Sequence, residues 1–305
     1  MFNKFNQSAS KWFSTVKILR VYEIYDMKDK STLQEFINNF TDLESLRTLV
    51  TEQFNPFAKI IETKKALPQL QTTYVTDEAS KAVLKELVET CPIKYLALAG
   101  GDLNNVNLDI QPPAESLQAI RLKDMPSVDL THFFDHMKVY NFTEFSLIRI
   151  ESIDKAKFAE KVKPVLMDVQ ALKKFRYEIN HENFTNTFDD VVDIVNKHTE
   201  SLEHLSFGKT PVSTDNIKAL VARLSSNEKV ALKTLDLTHI FNNQNFSFEE
   251  SLKELQALSR PGKILTVLCS RYQVKCPKEL QEFVLSNNIN VCIIFDSKET
   301  VKKPL

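Results

Sequence analysis

The sequence predicts an α/β solenoid, one elongated domain in which short parallel strands alternate with helices in units of 24 to 30 residues. Three observations carry this. An apolar pattern of the form L-x-x-L-x-L recurs at a nearly constant step, and amphipathic helical patterns fill the intervals between its copies. The chain holds only four glycines in 305 residues, where average usage is about 7%. Gly100 and Gly101 are adjacent, while Gly208 and Gly262 stand alone. Neither G-x-G-x-x-G nor G-x-x-x-x-G-K-[ST] can be written, so phosphate-cradling loops are excluded.

The strand pattern is clearest in the middle of the chain. It places Ile93, Leu96 and Leu98 in IKYLAL, Leu117, Ile120 and Leu122 in LQAIRL, and Phe145, Ile148 and Ile150 in FSLIRI. It continues with Leu172, Phe175 and Tyr177 in LKKFRY, Leu202, Leu205 and Phe207 in LEHLSF, and Leu232, Leu235 and Leu237 in LKTLDL. The first positions step by 24, 28, 27, 30 and 30 residues. Towards the N-terminus the series extends through Val16, Leu19 and Val21, then Leu43 and Leu46, then Leu70 and Val75. Towards the C-terminus it adds Ile264, Val267 and Cys269, then Ile289, Cys292 and Ile294, for about eleven units.

Helices are expected between these strands. Leu33, Phe36, Ile37 and Phe40 follow helical spacing behind a capping box of Ser31 and Gln34. Ile217, Leu220, Val221 and Leu224 repeat that spacing behind Thr214, and Ser247 with Glu250 forms a capping box before Phe248, Leu252 and Leu255. Residues 77–88, 129–137, 158–169, 188–196 and 278–285 carry weaker helical patterns. Pro164 is expected to kink or shorten one of them, because it has no N–H for the helix ladder.

This arrangement resembles the leucine-rich-repeat family, in particular its long ribonuclease-inhibitor-like type, over roughly Val16 to Ile294. The resemblance implies a parallel sheet on the concave side of a horseshoe, with helices on the convex side. It also implies an Asn or Cys after each strand that bonds backbone between turns. Asn180 holds that place in one unit, but Gly101, Met125, Ile153, Thr210 and Ile240 stand there in others. The expected organisation is an N-terminal cap over residues 1–15, the solenoid over 16–295 and a tail over 296–305.

In this family, strand positions 1, 4 and 6 point inward and position 5 lies mid-face on the concave side. Read down that column, the chain offers Arg20, Arg47, Arg121, Arg149 and Arg176, followed by Ser206 and Asp236. Five of eight arginines falling in one column predicts a ladder of guanidinium groups able to grip carboxylates or phosphates bidentately. Glu151 and Glu178, two residues beyond Arg149 and Arg176 on the same strand face, could instead neutralise them within the protein. Near the C-terminus the outward column turns apolar, with Leu265, Leu268, Ile293 and Phe295.

Other chemistry is thinly represented. His132 and His136 are spaced i, i+4 beside Asp129 and Asp135, yet no third ligand is near in sequence. His204 and His239 accompany Asp236 without a positioned nucleophile. Both sets read as solvated surface. Cys91, Cys269, Cys276 and Cys292 lack close pairing and read as buried thiols of a reducing compartment. A net charge of −1 gives no overall field for nucleic acid. No apolar run reaches the roughly 18 residues of a membrane span. The first twenty residues, with Lys4, Lys11, Lys17 and Arg20 and no acid, suit either a capping helix or a mitochondrial presequence.

The expected function is a non-catalytic protein–protein interaction scaffold, without cofactor or metal, that binds an acidic or phosphorylated protein partner on its concave face. A cytoplasmic location is expected, with a mitochondrial one as the alternative. A structural accessory subunit of a large mitochondrial or ciliary assembly is the second reading. A GTPase-activating regulator is the third.

Overall fold

The computed structural model describes residues 15–20, 44–49, 69–73, 86, 89, 93–99, 117–123, 142–149, 155–179, 181–238, 245–259, 264–270, 282 and 289–294. The chain divides into two compact units, Met1–Gln170 and Ala171–Leu305. Both are built on parallel strands in the α/β class. The expected tail, the cap apart from Thr15, the expected helices over 31–40 and 129–137, and Asn180, His132, His136, His239, Cys91 and Cys276 lie outside the described residues. Within the expected helices over 77–88 and 278–285, only Glu86 and Glu282 are described, and both are helical.

The N-terminal unit contains β1 (Ile18–Arg20), β2 (Ser45–Leu49), β3 (Gln69–Thr73), β4 (Tyr95–Ala99), β5 (Ala119–Lys123) and β6 (Glu144–Ile148). Each pairs in parallel with the next in chain order. One register row runs Leu19, Leu46, Leu70, Leu96, Ile120, Phe145. Its described members from Leu96 onward are buried, as are Ile93, Leu117 and Phe142 at the strand entries and Leu122 and Leu147 two residues further on.

That row corrects the expected frame at two strands. In β6 the inward set is Phe142, Phe145 and Leu147, three residues earlier than predicted, and the Phe142 and Phe145 rings stack with centroids 5.4 Å apart. In β3, Leu70 takes the middle position that Leu46 and Leu96 take in their own strands. The segment FTEFSLIRI holds two overlapping apolar triplets, so spacing alone accepts either frame. The backbone decides. Thr143 and Glu144 both donate their N–H to Gln118 O, as Gln118 and Ala119 donate theirs to Lys94 O.

After β6 the chain forms α1 (Lys155–Lys157), a π-helical turn (Phe158–Val162) and α2 (Lys163–Asp168). Pro164 sits in the first turn of α2, where a missing N–H is tolerated. Just before it, Lys163 N–H reaches back five residues to Phe158 O. The ladder therefore widens at the proline instead of breaking there. Phe158, Val162, Val165 and Leu166 are buried on one side.

The C-terminal unit contains β7 (Lys174–Glu178), α3 (His181–Lys197), β8 (His204–Ser206), α4 (Thr214–Ser225), β9 (Thr234–Asp236), α5 (Phe248–Leu255), β10 (Leu265–Ser270) and β11 (Ile289–Ile294). The strands again pair in parallel in chain order. Phe175, Leu205, Leu235 and Val267 form the inward row. Beside it, Tyr177, Phe207, Leu237 and Cys269 are equally buried. The helices close this core with Val191, Ile194 and Val195 from α3, Ile217, Leu220, Val221 and Leu224 from α4, and Phe248, Leu252 and Leu255 from α5.

Polar groups link successive units through their backbone. Ser201 Oγ donates to Leu172 O (3.0 Å), and Thr210 Oγ1 donates to Tyr177 O (3.1 Å) and to Phe207 O. The cap of α4 is Ser213, one residue before the expected Thr214. Ser213 Oγ accepts from Asn216 N, and Asn216 Oδ1 accepts from Ser213 N. Thr214 serves elsewhere, since its Oγ1 accepts the Ser247 N–H (2.7 Å) and so supplies the partner that Glu250 was expected to give. Ser247 Oγ still caps α5 by accepting from Glu250 N.

The last strand departs from its expected frame by one residue. Val267 pairs with Val291 and Leu268 with Cys292, so Cys292 falls on the outward side of the register. Ile293 takes the inward register of Cys269. In β10, Leu265 is buried and Ile264 is 53% exposed, the reverse of expectation. Among the described residues no helix is long and apolar enough to cross a membrane.

Candidate partner-binding face

Side chains alternate across a strand, so the residues flanking the buried rows form one outward face in each unit. In the N-terminal unit one register column reads Arg20, Arg47, Gln71, Ala97, Arg121, Ser146. The register thus brings Arg20, Arg47 and Arg121 into one column, as predicted.

Arg149 does not belong to it. Ser146 holds its expected place beside Arg121. Arg149 follows the end of β6 with φ 54°, a left-handed conformation, and its side chain is exposed at the bend. This correction follows directly from the three-residue frame shift of β6.

Among the residues of β5 and β6 whose side chains are described, Arg121, Lys123 and Glu144 carry charge on this side. Arg121 is half-buried between the columns of Ala97 and Ser146, and makes no ion pair or hydrogen bond among the described residues.

The C-terminal unit behaves differently. Its central outward column reads Arg176, Ser206, Asp236, Leu268, Cys292. Arg176 Nη2 donates to Glu178 Oε2 at 2.8 Å, and Glu178 is only 3% exposed. Gly208, at φ 51°, lets the turn after β8 lie directly on that carboxylate, because any Cβ there would stand 2.3 Å from Glu178 Oε2. Ser206 Oγ donates to Asp236 Oδ2 (3.1 Å), while Asp236 Oδ1 accepts from both N and Oγ1 of Thr238. On this face Lys174 and Arg176 are equalled in number by Glu178 and Asp236, and Arg176 Nε is buried without a hydrogen-bond partner among the described residues. Self-neutralisation, the competing expectation for Arg176, is what its geometry displays. Sequence reasoning named Glu178 as a possible partner of Arg176 but missed Gly208, whose close approach to that carboxylate leaves no local signal.

His204 lies on the same outward face, and among the described residues no group of three metal-ligating side chains assembles. At the strand entry beside it, the Lys233 ammonium donates to Glu203 at 2.9 Å and holds that carboxyl below its ordinary range. On the helix side, a groove between α3 and α4 is lined by Val192, Ala219 and Ala222 and bridged by Arg223 donating to Asp193 (2.9 Å). Comparison of the chain with protein-family models finds no match, and comparison with curated proteins finds none either.

Proposed function

We propose that the chain is an irregular leucine-rich-repeat solenoid acting as a non-catalytic interaction scaffold, which captures an acidic or phosphorylated protein segment on the strand face of its N-terminal unit. The observation that carries the reading is the register column of Arg20, Arg47 and Arg121. Guanidinium groups suit this task because they stay charged and present forked donors to carboxylate or phosphate oxygens. Support for the repeat comes from the entry of successive strands. Paired N–H groups converge on one carbonyl at Lys94, Gln118, Lys173 and Glu203 alike. Thr210 contributes too, since it bonds the Tyr177 carbonyl of the preceding strand as the family's Asn is expected to do.

The test is affinity purification with quantitative mass spectrometry. It compares the full chain, a triple variant with Arg20→Glu, Arg47→Glu and Arg121→Glu, and an Arg149→Glu control. A specific partner should be retained by the wild type and the control, lost by the triple variant, and weakened as salt rises from about 0.1 to about 0.5 M. Equal recovery by a triple variant with unchanged circular dichroism overturns the reading.

A further inference from the structure

The first and last strands are built differently. β1 holds three residues, ends on Arg20 and follows Lys17, which is exposed and ion-paired with Glu44 at 3.2 Å. A short strand bracketed by charge is how a sheet edge is kept from pairing with another chain. β11 holds six residues, Ile289–Ile294, with no charge and no proline. No charged residue stands between Glu282 and Asp296.

β11 pairs with β10 along its whole length, and among the described residues no strand pairs with its other side. Among the same residues, none of the six bonds outside that ladder. Successive residues direct their N–H and C=O groups to opposite sides of a strand, so about half of them present both groups on the open side. Core packing is open there as well. Val291 takes the inward register of Val267, which is fully buried, yet Val291 itself is only half-buried. Asn290, on the outward side, is exposed.

We propose that β11 is a contact between two copies of this chain, whose edges pair antiparallel across a two-fold axis at Val291. An uncharged strand suits self-pairing, because no like charges meet across the axis. The two-fold closes the contact at a dimer. Pairing supplies about four to six backbone hydrogen bonds to groups that β10 leaves unused. The register follows from side-chain parity. An axis at Val291 sets the two half-buried valines about 5 Å apart and keeps the buried rows of both copies on one side. A slip of one residue would turn one copy's buried row onto the other's outward face. Cys292, on the outward side of the register, then lies roughly 7–8 Å from its counterpart. The acidic-partner reading rests on β1, β2 and β5 and is independent of this contact.

The experiment is sedimentation velocity of the full chain in reducing buffer, from about 1 to about 100 µM protein and in about 0.1 and about 0.5 M salt. A monomer should give way to a dimer as concentration rises, equally at both salt levels, because the pairing uses no charges. Hydrogen exchange of amides 289–294 should slow at least about threefold across the same range. Cys292→Lys and Cys292→Glu should each stay monomeric, and their equal mixture should restore the dimer, since opposite charges then meet across the axis. Arg121→Glu should dimerise as the wild type does. The exchange measurement needs no variant, so it decides the matter even where a substitution impairs folding. A monomer at about 100 µM, dissociation at high salt, or a dimer retained by well-folded Cys292→Lys overturns the proposal. So does a Lys and Glu mixture that stays monomeric. Amides 289–294 that are protected equally at every concentration assign the edge to a segment of the same chain, and overturn it too.

Discussion

Replacing Gly208 with alanine probes the packing that keeps the C-terminal strand face neutral. Gly208 has φ 51°, where an L-residue costs about 1–2 kcal/mol. The added Cβ would stand 2.3 Å from Glu178 Oε2, 2.8 Å from its Cδ and 2.9 Å from its Cβ. Because the close atoms run down to Cβ, the whole Glu178 side chain must move, and a flexible end alone cannot relieve the clash. Glu178 is 3% exposed and is held by Arg176 at 2.8 Å. Breaking a buried pair outright costs about 3–5 kcal/mol. Displacing one that is open on the arginine side costs less, so Gly208→Ala should destabilise by about 2–5 kcal/mol in all. Urea unfolding followed by circular dichroism reads this as a fall in midpoint at constant slope. The decisive comparison places the same change in a Glu178→Ala background. There the contacts with Oε2 and Cδ are gone and only the Cβ at 2.9 Å is left beside the backbone cost of about 1–2 kcal/mol, so the double variant should exceed the additive expectation by about 1–3 kcal/mol. Additivity within about 0.5 kcal/mol would show that Glu178 is not why glycine stands at this position.

Further outcomes follow from individual contacts. Ser213→Ala removes the reciprocal bonds with Asn216 and should cost about 0.5–2 kcal/mol, with Ser213→Gly costing only a few tenths, by the same unfolding assay. Tyr177 is buried with its hydroxyl on Thr187 (2.5 Å), and burial raises its ionisation above the ordinary phenol value despite the opposing effect of that bond. The unfolded chain therefore loses this proton first. Stability should be intact below about pH 10 and decline above it, and Tyr177→Phe should flatten the decline measured from about pH 8 to about pH 11. An unchanged slope in the variant would assign the alkaline sensitivity to other groups. The Asp193–Arg223 bridge between α3 and α4 is exposed enough that a double-mutant cycle should give a coupling of only about 0.2–1 kcal/mol, falling with salt. A larger coupling would mean that the groove between these helices is less hydrated than its exposure indicates.

Much of the architecture was legible because burial leaves a local trace. The triplets Leu117, Ile120, Leu122 and Leu202, Leu205, Phe207 and Leu232, Leu235, Leu237 are buried as read, and Ser247 caps its helix as its side chain allows. Failures occurred where a local pattern had two solutions. Phe142, Phe145 and Leu147 compete with Phe145, Ile148 and Ile150, and only pairing of β6 with β5 separates them. The last strand slips by one residue for the same reason, since INVCII is apolar at both parities. Ser213 displaced Thr214 as a cap because the Thr214 hydroxyl finds its partner in Ser247, 33 residues along the chain.

Parallel strands in chain order, the helical intervals and the arginine positions 20, 47 and 121 were determined by the sequence alone, because spacing along a strand dictates which side a residue takes. What becomes of Arg149 and Arg176 was decided only by tertiary structure. Arg149 leaves the column through the register of one strand. Arg176 is neutralised because a glycine turn from the next unit lies against Glu178. Charge balance on a sheet face depends on residues some thirty positions apart, and no local pattern records them.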